Sequence, residues 1–265
     1  MCTIRVDRPS RRWRKNICRI EWPMGRTEKK TKRGRKPRQT TFVFRTWGGK
    51  REGAGRKPKR PGAVSHAKRP RLSSRYPVHI SLRVDDRMPS LRRPDLLEGI
   101  EDCLRVVREV YNNFRVVHYS IQDHHLHLVV EAASRTALSR GMQGLNIRVA
   151  KRINKILERK GPVFTDRYHE AILRSPTQTR NGIKYVLLNA RRHASQSGMR
   201  CAADWIDDCS SGRFFDGWHG LRVRPPPDEE PTVSEPQTWL ASAGWRRIGL
   251  IPVDAVPGRP SRGAR

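Results

Sequence analysis

Between Pro77 and Ser197 the spacing of apolar residues switches between a period of two and one near 3.6, and the order of those switches limits the possible folds more than any other feature of the chain. Val78-His79-Ile80-Ser81-Leu82-Arg83-Val84 alternates as a half-buried strand does. After Pro94-Asp95, a favourable helix opening, apolar residues fall at Leu97, Ile100, Leu104, Val107, Tyr111 and Phe114, which predicts an amphipathic helix. Val116–Ile121 and Leu126–Glu131 read as two strands joined by a tight turn at Gln122-Asp123. Ser134 is placed to cap a second helix with Leu138, Met142, Leu145, Val149, Ile153 and Ile156 on its inner face. Val163-Phe164 and Tyr168–Leu173 supply a fourth strand, and a third helix is expected from about Pro176 to Ser197. The order β-α-β-β-α-β-α predicts an α+β fold, a ferredoxin-like antiparallel sheet packed by helices with an added C-terminal helix.

Charge separates this region from its flanks. The chain of 265 residues carries 56 Lys and Arg against 25 Asp and Glu, a net +31. The excess is +22 in residues 1–75, +10 in 76–200 and −1 in 201–265. The first segment, rich in Arg, Lys, Gly and Pro, lacks the aliphatic content to offset its ordering entropy and is expected to be a disordered DNA-binding arm. Residues 76–200 are expected to form the folded domain, and 201–265 a Pro-rich linker with a short helix near Thr238–Arg247 docking through Trp239, Leu240 and Trp245. So large a positive charge points to a polyanionic partner, bound with strong salt dependence. Five cysteines without C-x-x-C spacing suggest neither a disulfide framework nor a zinc knuckle. No run of about 18 apolar residues occurs, and the basic opening lacks a signal-like apolar segment. The expectation is a cytoplasmic, nucleoid-associated protein with no membrane partner.

Two groups of residues could carry chemistry. His125-Leu126-His127 lies within a strand, so both imidazoles share one face and can hold one divalent cation if a further group completes the site. The plain alternative is a pair of surface or hydrogen-bonded histidines; His124, in the turn or on the Leu face, is assigned a structural role. On the third helix the apolar stripe is Ile183, Val186, Leu187, Ala190 and Ala194, while Tyr185 and, one turn on, Asn189 project to the other side. A tyrosine off the apolar stripe is either a solvated surface residue or a nucleophile, and the metal-capable strand favours the second.

Together with the strand containing His79, the Asp123–Val129 segment, Met142–Asn146, Gly161–Tyr168 and Tyr185-Val186-Leu187-Leu188-Asn189, these residues resemble the HUH single-strand DNA transposases with one catalytic tyrosine, most closely the REP-associated branch. The resemblance covers about residues 77–195. It implies that His125, His127 and Asn189 bind Mg²⁺ or Mn²⁺. It also implies that Tyr185 attacks a DNA phosphate to leave a 5′-phosphotyrosine and a free 3′-hydroxyl, and that single-stranded DNA and DNA hairpins are the partners, with a homodimer possible. Lys184 or Arg192 are candidates to assist loss of the phenolic proton. The chain departs from many relatives in having His124 where they have Asn and Ala190 where they have Pro; Ala190 favours a helix that continues past the motif.

Within the arm, Arg33-Gly34-Arg35-Lys36-Pro37-Arg38 and Gly55-Arg56-Lys57-Pro58 are similar to AT-hooks, and Arg33, Arg35, Lys36, Arg38, Arg56 and Lys57 are candidate DNA contacts. Lys36 interrupts the usual Arg-Gly-Arg-Pro core, which favours phosphate binding over minor-groove reading. Two rival folds are disfavoured: RNA-recognition domains share the element order, but their Gly-aromatic signature is missing, and the ordered part is too short for a metal hydrolase barrel. A domesticated, non-catalytic hairpin-binding protein would retain every residue named here and stays open as the alternative function.

Overall fold

A computed structural model describes residues 69–223 and 229–258. The arm with its AT-hook-like segments, from Arg33 to Lys57, and the Pro-rich stretch at 224–228 lie outside the described residues.

Four strands form one antiparallel sheet in the order β2-β3-β1-β4, where β1 is Val78–Arg83, β2 Phe114–Ile121, β3 His125–Ala132 and β4 His169–Ile172. Strand β1 lies between β3 and β4 because two helical crossovers carry the chain over the same face: α1, Pro94–Val110, and α2, Arg135–Ile156. The split βαβ order and this sheet topology are those of a ferredoxin-like sandwich. Alternation along the strands makes the layers. Val78, Ile80 and Leu82 of β1 and Leu126, Leu128 and Val130 of β3 are buried with Leu96, Ile100, Leu104 and Val107 of α1 and Leu138, Met142, Leu145, Val149 and Ile153 of α2 in one core. Ser134 caps α2 as expected, its hydroxyl accepting from the Ala137 amide at 3.1 Å.

Three sequence expectations change, the first being that Val163-Phe164 stays outside β4, with Phe164 making only an isolated bridge to Val84. Phe114 fits the helical spacing of α1, yet it opens β2 and is fully buried there. The helix ends at Val110, ahead of Asn112-Asn113, residues whose side chains compete for backbone hydrogen bonds. The third helix is not continuous either. It breaks at Leu188 (φ −107°, ψ 20°) into α3, Pro176–Leu187, and α4, Asn189–Gln196. Ala190 does carry the helix onward, but from a new start immediately before Asn189.

The second face of the sheet, with Val129, packs against α3 through Ile183, Val186 and Leu187 and against Phe215, Trp218, Trp245, Ile251 and Val253 from the C-terminal segment. That segment is tied down by long-range polar contacts. Arg180 of α3 donates to the carbonyls of Gly249 and Leu250, both at 2.7 Å. The buried Arg191 of α4 donates to the carbonyls of Ala202 and Trp205, both at 2.8 Å. The short helix α5, Trp239–Ser242, lies within the expected range and leads into a 3₁₀ turn, Gly244–Ile248. Leu240 and Trp245 dock as expected, whereas Trp239 stays half exposed.

Candidate active site

The register of β1 against β3 pairs His79 with Val129, Ser81 with His127 and Arg83 with His125. Residues directly opposite one another share a face, so His79, Ser81, Arg83, His125, His127 and Val129 all point away from the α1/α2 core. His125 and His127 project together, their rings nearly parallel (11°) with centroids 6.1 Å apart. His79 stacks on the other side of His127 at 5.7 Å. His124 belongs to the turn. Its carbonyl accepts from the Val84 amide at 3.0 Å, and the Gln122 amide closes the hairpin on the carbonyl of His125.

Tyr185 comes to this face from α3. Its half-buried ring meets His79 and His127 edge-on, each with centroids 5.4 Å apart. Helix α3 can be held there because Ile183, Val186 and Leu187, on the stripe away from Tyr185, sit in the second core. Its start is fixed by Ser175, whose hydroxyl accepts from the Gln178 amide while the Gln178 side chain accepts from the Arg174 amide. Of the two cations considered beside the phenol, Arg192 is there, its guanidinium carbon 5.2 Å from the ring centroid. Burial and the charge of Arg180 lower the pKa of Lys184.

Electrostatics keep the imidazoles neutral. Burial pushes His127 down to about 3, with the nearby charges of His79, His125, His193 and Arg192 acting in the same direction. Burial lowers His79 to about 4, and also lowers His125, again helped by Arg83 and His193. A neutral imidazole keeps the lone pair that a cation needs.

Asn189, at the start of α4, is fully buried, and neither its Oδ1 nor its Nδ2 has a hydrogen-bond partner among the described residues. The Nδ1 of His127 and the Nε2 of His79 are buried and unpartnered as well. Buried polar groups left unmade cost about 1–3 kcal/mol each, and His79 and His127 carry two of them on adjacent rings. No group of three or more His, Cys, Asp or Glu side chains among the described residues is arranged to hold a metal ion. The donors this face offers a cation are the imidazoles of His79, His125 and His127. The chemistry of that donor set suits an intermediate divalent ion.

The sequence reading gave His79 no role, although the alternation of β1 already put it on the face of His125 and His127. It also passed over Glu131, at the far end of β3. This buried carboxylate accepts from the backbone amides of Gln237 and Thr238, both at 2.9 Å, and from the Thr238 hydroxyl at 2.7 Å, fastening α5 to the histidine-bearing strand.

Residues 73–186, from just ahead of β1 through Tyr185, match the family model described as "Transposase IS200 like". This part of the chain is similar to the IS200-like transposases; the arm and the C-terminal segment extend beyond the match. Among solved structures, the chain is similar to a REP-associated tyrosine transposase bound to a REP hairpin, with 13% identity and a TM-score of 0.45 over 57% of this chain and 84% of that one. It is also similar to a protein of Deinococcus radiodurans described as a candidate transposase, with 14% identity and a TM-score of 0.32 over 52% of this chain and 98% of that one. None of the curated proteins compared matches the chain. No helix among the described residues is long and apolar enough to cross a membrane.

Proposed function

We propose that the chain nicks and rejoins single-stranded DNA by transesterification at Tyr185, in the manner of the REP-associated tyrosine transposases. The observation that carries this reading is the convergence of Tyr185, from α3, with His127 and His79 on the outer face of the sheet. The phenolic oxygen attacks the scissile phosphorus and the bond from phosphorus to the 3′-oxygen breaks, leaving DNA joined to Tyr185 through its 5′-phosphate and a free 3′-hydroxyl. The phenolic proton passes to solvent. The guanidinium of Arg192, over the ring, neutralises part of the phosphate charge. Because the phosphotyrosine keeps the phosphodiester's energy, attack by another 3′-hydroxyl rejoins the strand and restores Tyr185 without ATP.

His125, His127 and Asn189 are the residues we assign to Mg²⁺ or Mn²⁺. When bound, the cation supplies Lewis-acid polarisation of a phosphate oxygen. The neutral state of His127, set by its burial, keeps it competent as a ligand throughout the physiological range. DNA hairpins are proposed as the recognised structure, with the basic arm adding sequence-independent affinity.

The test is incubation of the protein with single-stranded oligonucleotides carrying candidate hairpins and Mn²⁺, followed by denaturing electrophoresis. A covalent protein–DNA species is expected, absent in Tyr185→Phe and suppressed in His127→Ala at limiting metal. Tight hairpin binding with no such species in the unaltered protein would favour the non-catalytic hairpin-binding alternative.

A further inference from the structure

A cleft of about 450 Å³ opens between the start of α3 and helix α5, lined by Arg75, Tyr76, Arg174, Pro176, Trp239 and Leu240. Two of these residues carry large aromatic rings, two are arginines and none is acidic. We propose that this cleft is a stacking site for unpaired DNA bases, with Trp239 and Tyr76 as the platforms and Arg75, Arg174 and Arg247 holding the adjoining phosphates.

Trp239 is 51% exposed, although its helix neighbour Leu240 and nearby Trp245 are buried. A single exposed apolar side chain is ordinary. What distinguishes this one is its setting. A second ring, Tyr76, reaches the same cleft from the segment ahead of β1. The guanidinium carbon of Arg75 lies 4.7 Å from the Tyr76 ring centroid, and that of Arg247 lies 5.1 Å from Trp239. Aromatic rings interleaved with arginines are the usual platform for single strands, because every base has a π-face and every nucleotide a phosphate.

The platform is held in place before any ligand arrives. Gln237 and Thr238, immediately ahead of Trp239, are fastened to the buried carboxylate of Glu131. Gly244 lets the indole lie close to the backbone: a Cβ there would fall 2.8 Å from two of its ring carbons. Ordering entropy is therefore spent on folding rather than on binding. The same α3 bears Pro176 at the cleft and Tyr185 nine residues later, an axial rise of about 14 Å. Nine residues make about two and a half turns, so the two lie on opposite sides of the helix. The stacking site therefore stands apart from the reading of Tyr185 and does not rest on it.

The experiment separates the two. Binding is measured in a Tyr185→Phe background with EDTA, so that no strand chemistry contributes, using fluorescence anisotropy of a labelled oligodeoxythymidine, an abasic strand of equal length and a duplex. Trp239→Ala is expected to weaken oligodeoxythymidine binding roughly ten-fold, with duplex affinity unchanged and no further loss on the abasic strand. Trp239→Phe should restore most of the affinity, and Arg174→Gln should lower the salt slope by about one. Equal oligodeoxythymidine affinity in Trp239→Ala, or a parallel loss on single strand, abasic strand and duplex, overturns the proposal. So does a loss that Trp239→Phe fails to restore while its melting temperature matches that of the parent protein.

Discussion

Acidification tests the electrostatics of the site without reference to its activity. His79 and His118 are held by burial at about 4 and His127 at about 3, against an ordinary value near 6.5. Below that ordinary value the unfolded chain takes up protons that the folded chain refuses, so the stability these groups contribute is complete above about pH 6.5 and is lost as the pH falls towards their folded values. Between about pH 8 and about pH 5.5 each imidazole should cost about 1.4 kcal/mol, and the three together about 4 kcal/mol. That is a large share of the stability of an ordinary domain. Urea unfolding at a series of pH values, with chelator present, measures it. His118 provides the internal control. It is buried against Phe215, with ring centroids 5.2 Å apart, outside the cluster around Tyr185. His118→Leu should therefore reduce the pH-dependent loss to about 3 kcal/mol whatever it does to stability at pH 8. A stability that is flat over this range, or a His118→Leu slope equal to that of the parent protein, would refute the burial argument.

Other perturbations probe different parts of the structure. Glu131→Gln presents an amide to the three donors that the carboxylate accepts from, and should destabilise by about 2–4 kcal/mol while making the segment after residue 229 sensitive to limited proteolysis. Leu128→Ala, fully buried beneath α1 and α2, should cost about 2–5 kcal/mol in urea unfolding. Asn189→Ala removes an amide that has no internal hydrogen bond, so it should cost less stability than its burial suggests, about 1 kcal/mol or under. The same substitution should weaken Mn²⁺ binding measured by calorimetry. Removing residues 1–68 should flatten the dependence of DNA affinity on salt, read from binding isotherms at several ionic strengths.

The sheet and its two crossover helices were legible because burial imposes its period on local sequence: Val78, Ile80 and Leu82 could face only one way, and His79 had to face the other. The paired imidazoles and the off-stripe position of Tyr185 followed from the same geometry. Phe114 misled because a spacing of three from Tyr111 satisfies a helix as well as a strand that starts afresh, and only the Asn112-Asn113 pair marked the break. The kink at Leu188 left no local trace, since Leu188 and Ala190 both suit an unbroken helix. The docking of the C-terminal segment was legible only as apolar residues in need of a partner. Its polar fastenings, Glu131 to Thr238 and Arg180 to Gly249, join residues far apart in sequence, and no local pattern encodes them.

Mapping the covalent adduct tests most directly whether Tyr185 is the nucleophile of the site it shares with His127 and His79. After reaction with a single-stranded hairpin oligonucleotide and Mn²⁺, nuclease and protease digestion followed by mass spectrometry should place a 5′-nucleotide on the peptide containing Tyr185 and on no other. A nucleotide on a different side chain, or an adduct that persists in Tyr185→Phe, would assign the nucleophile elsewhere.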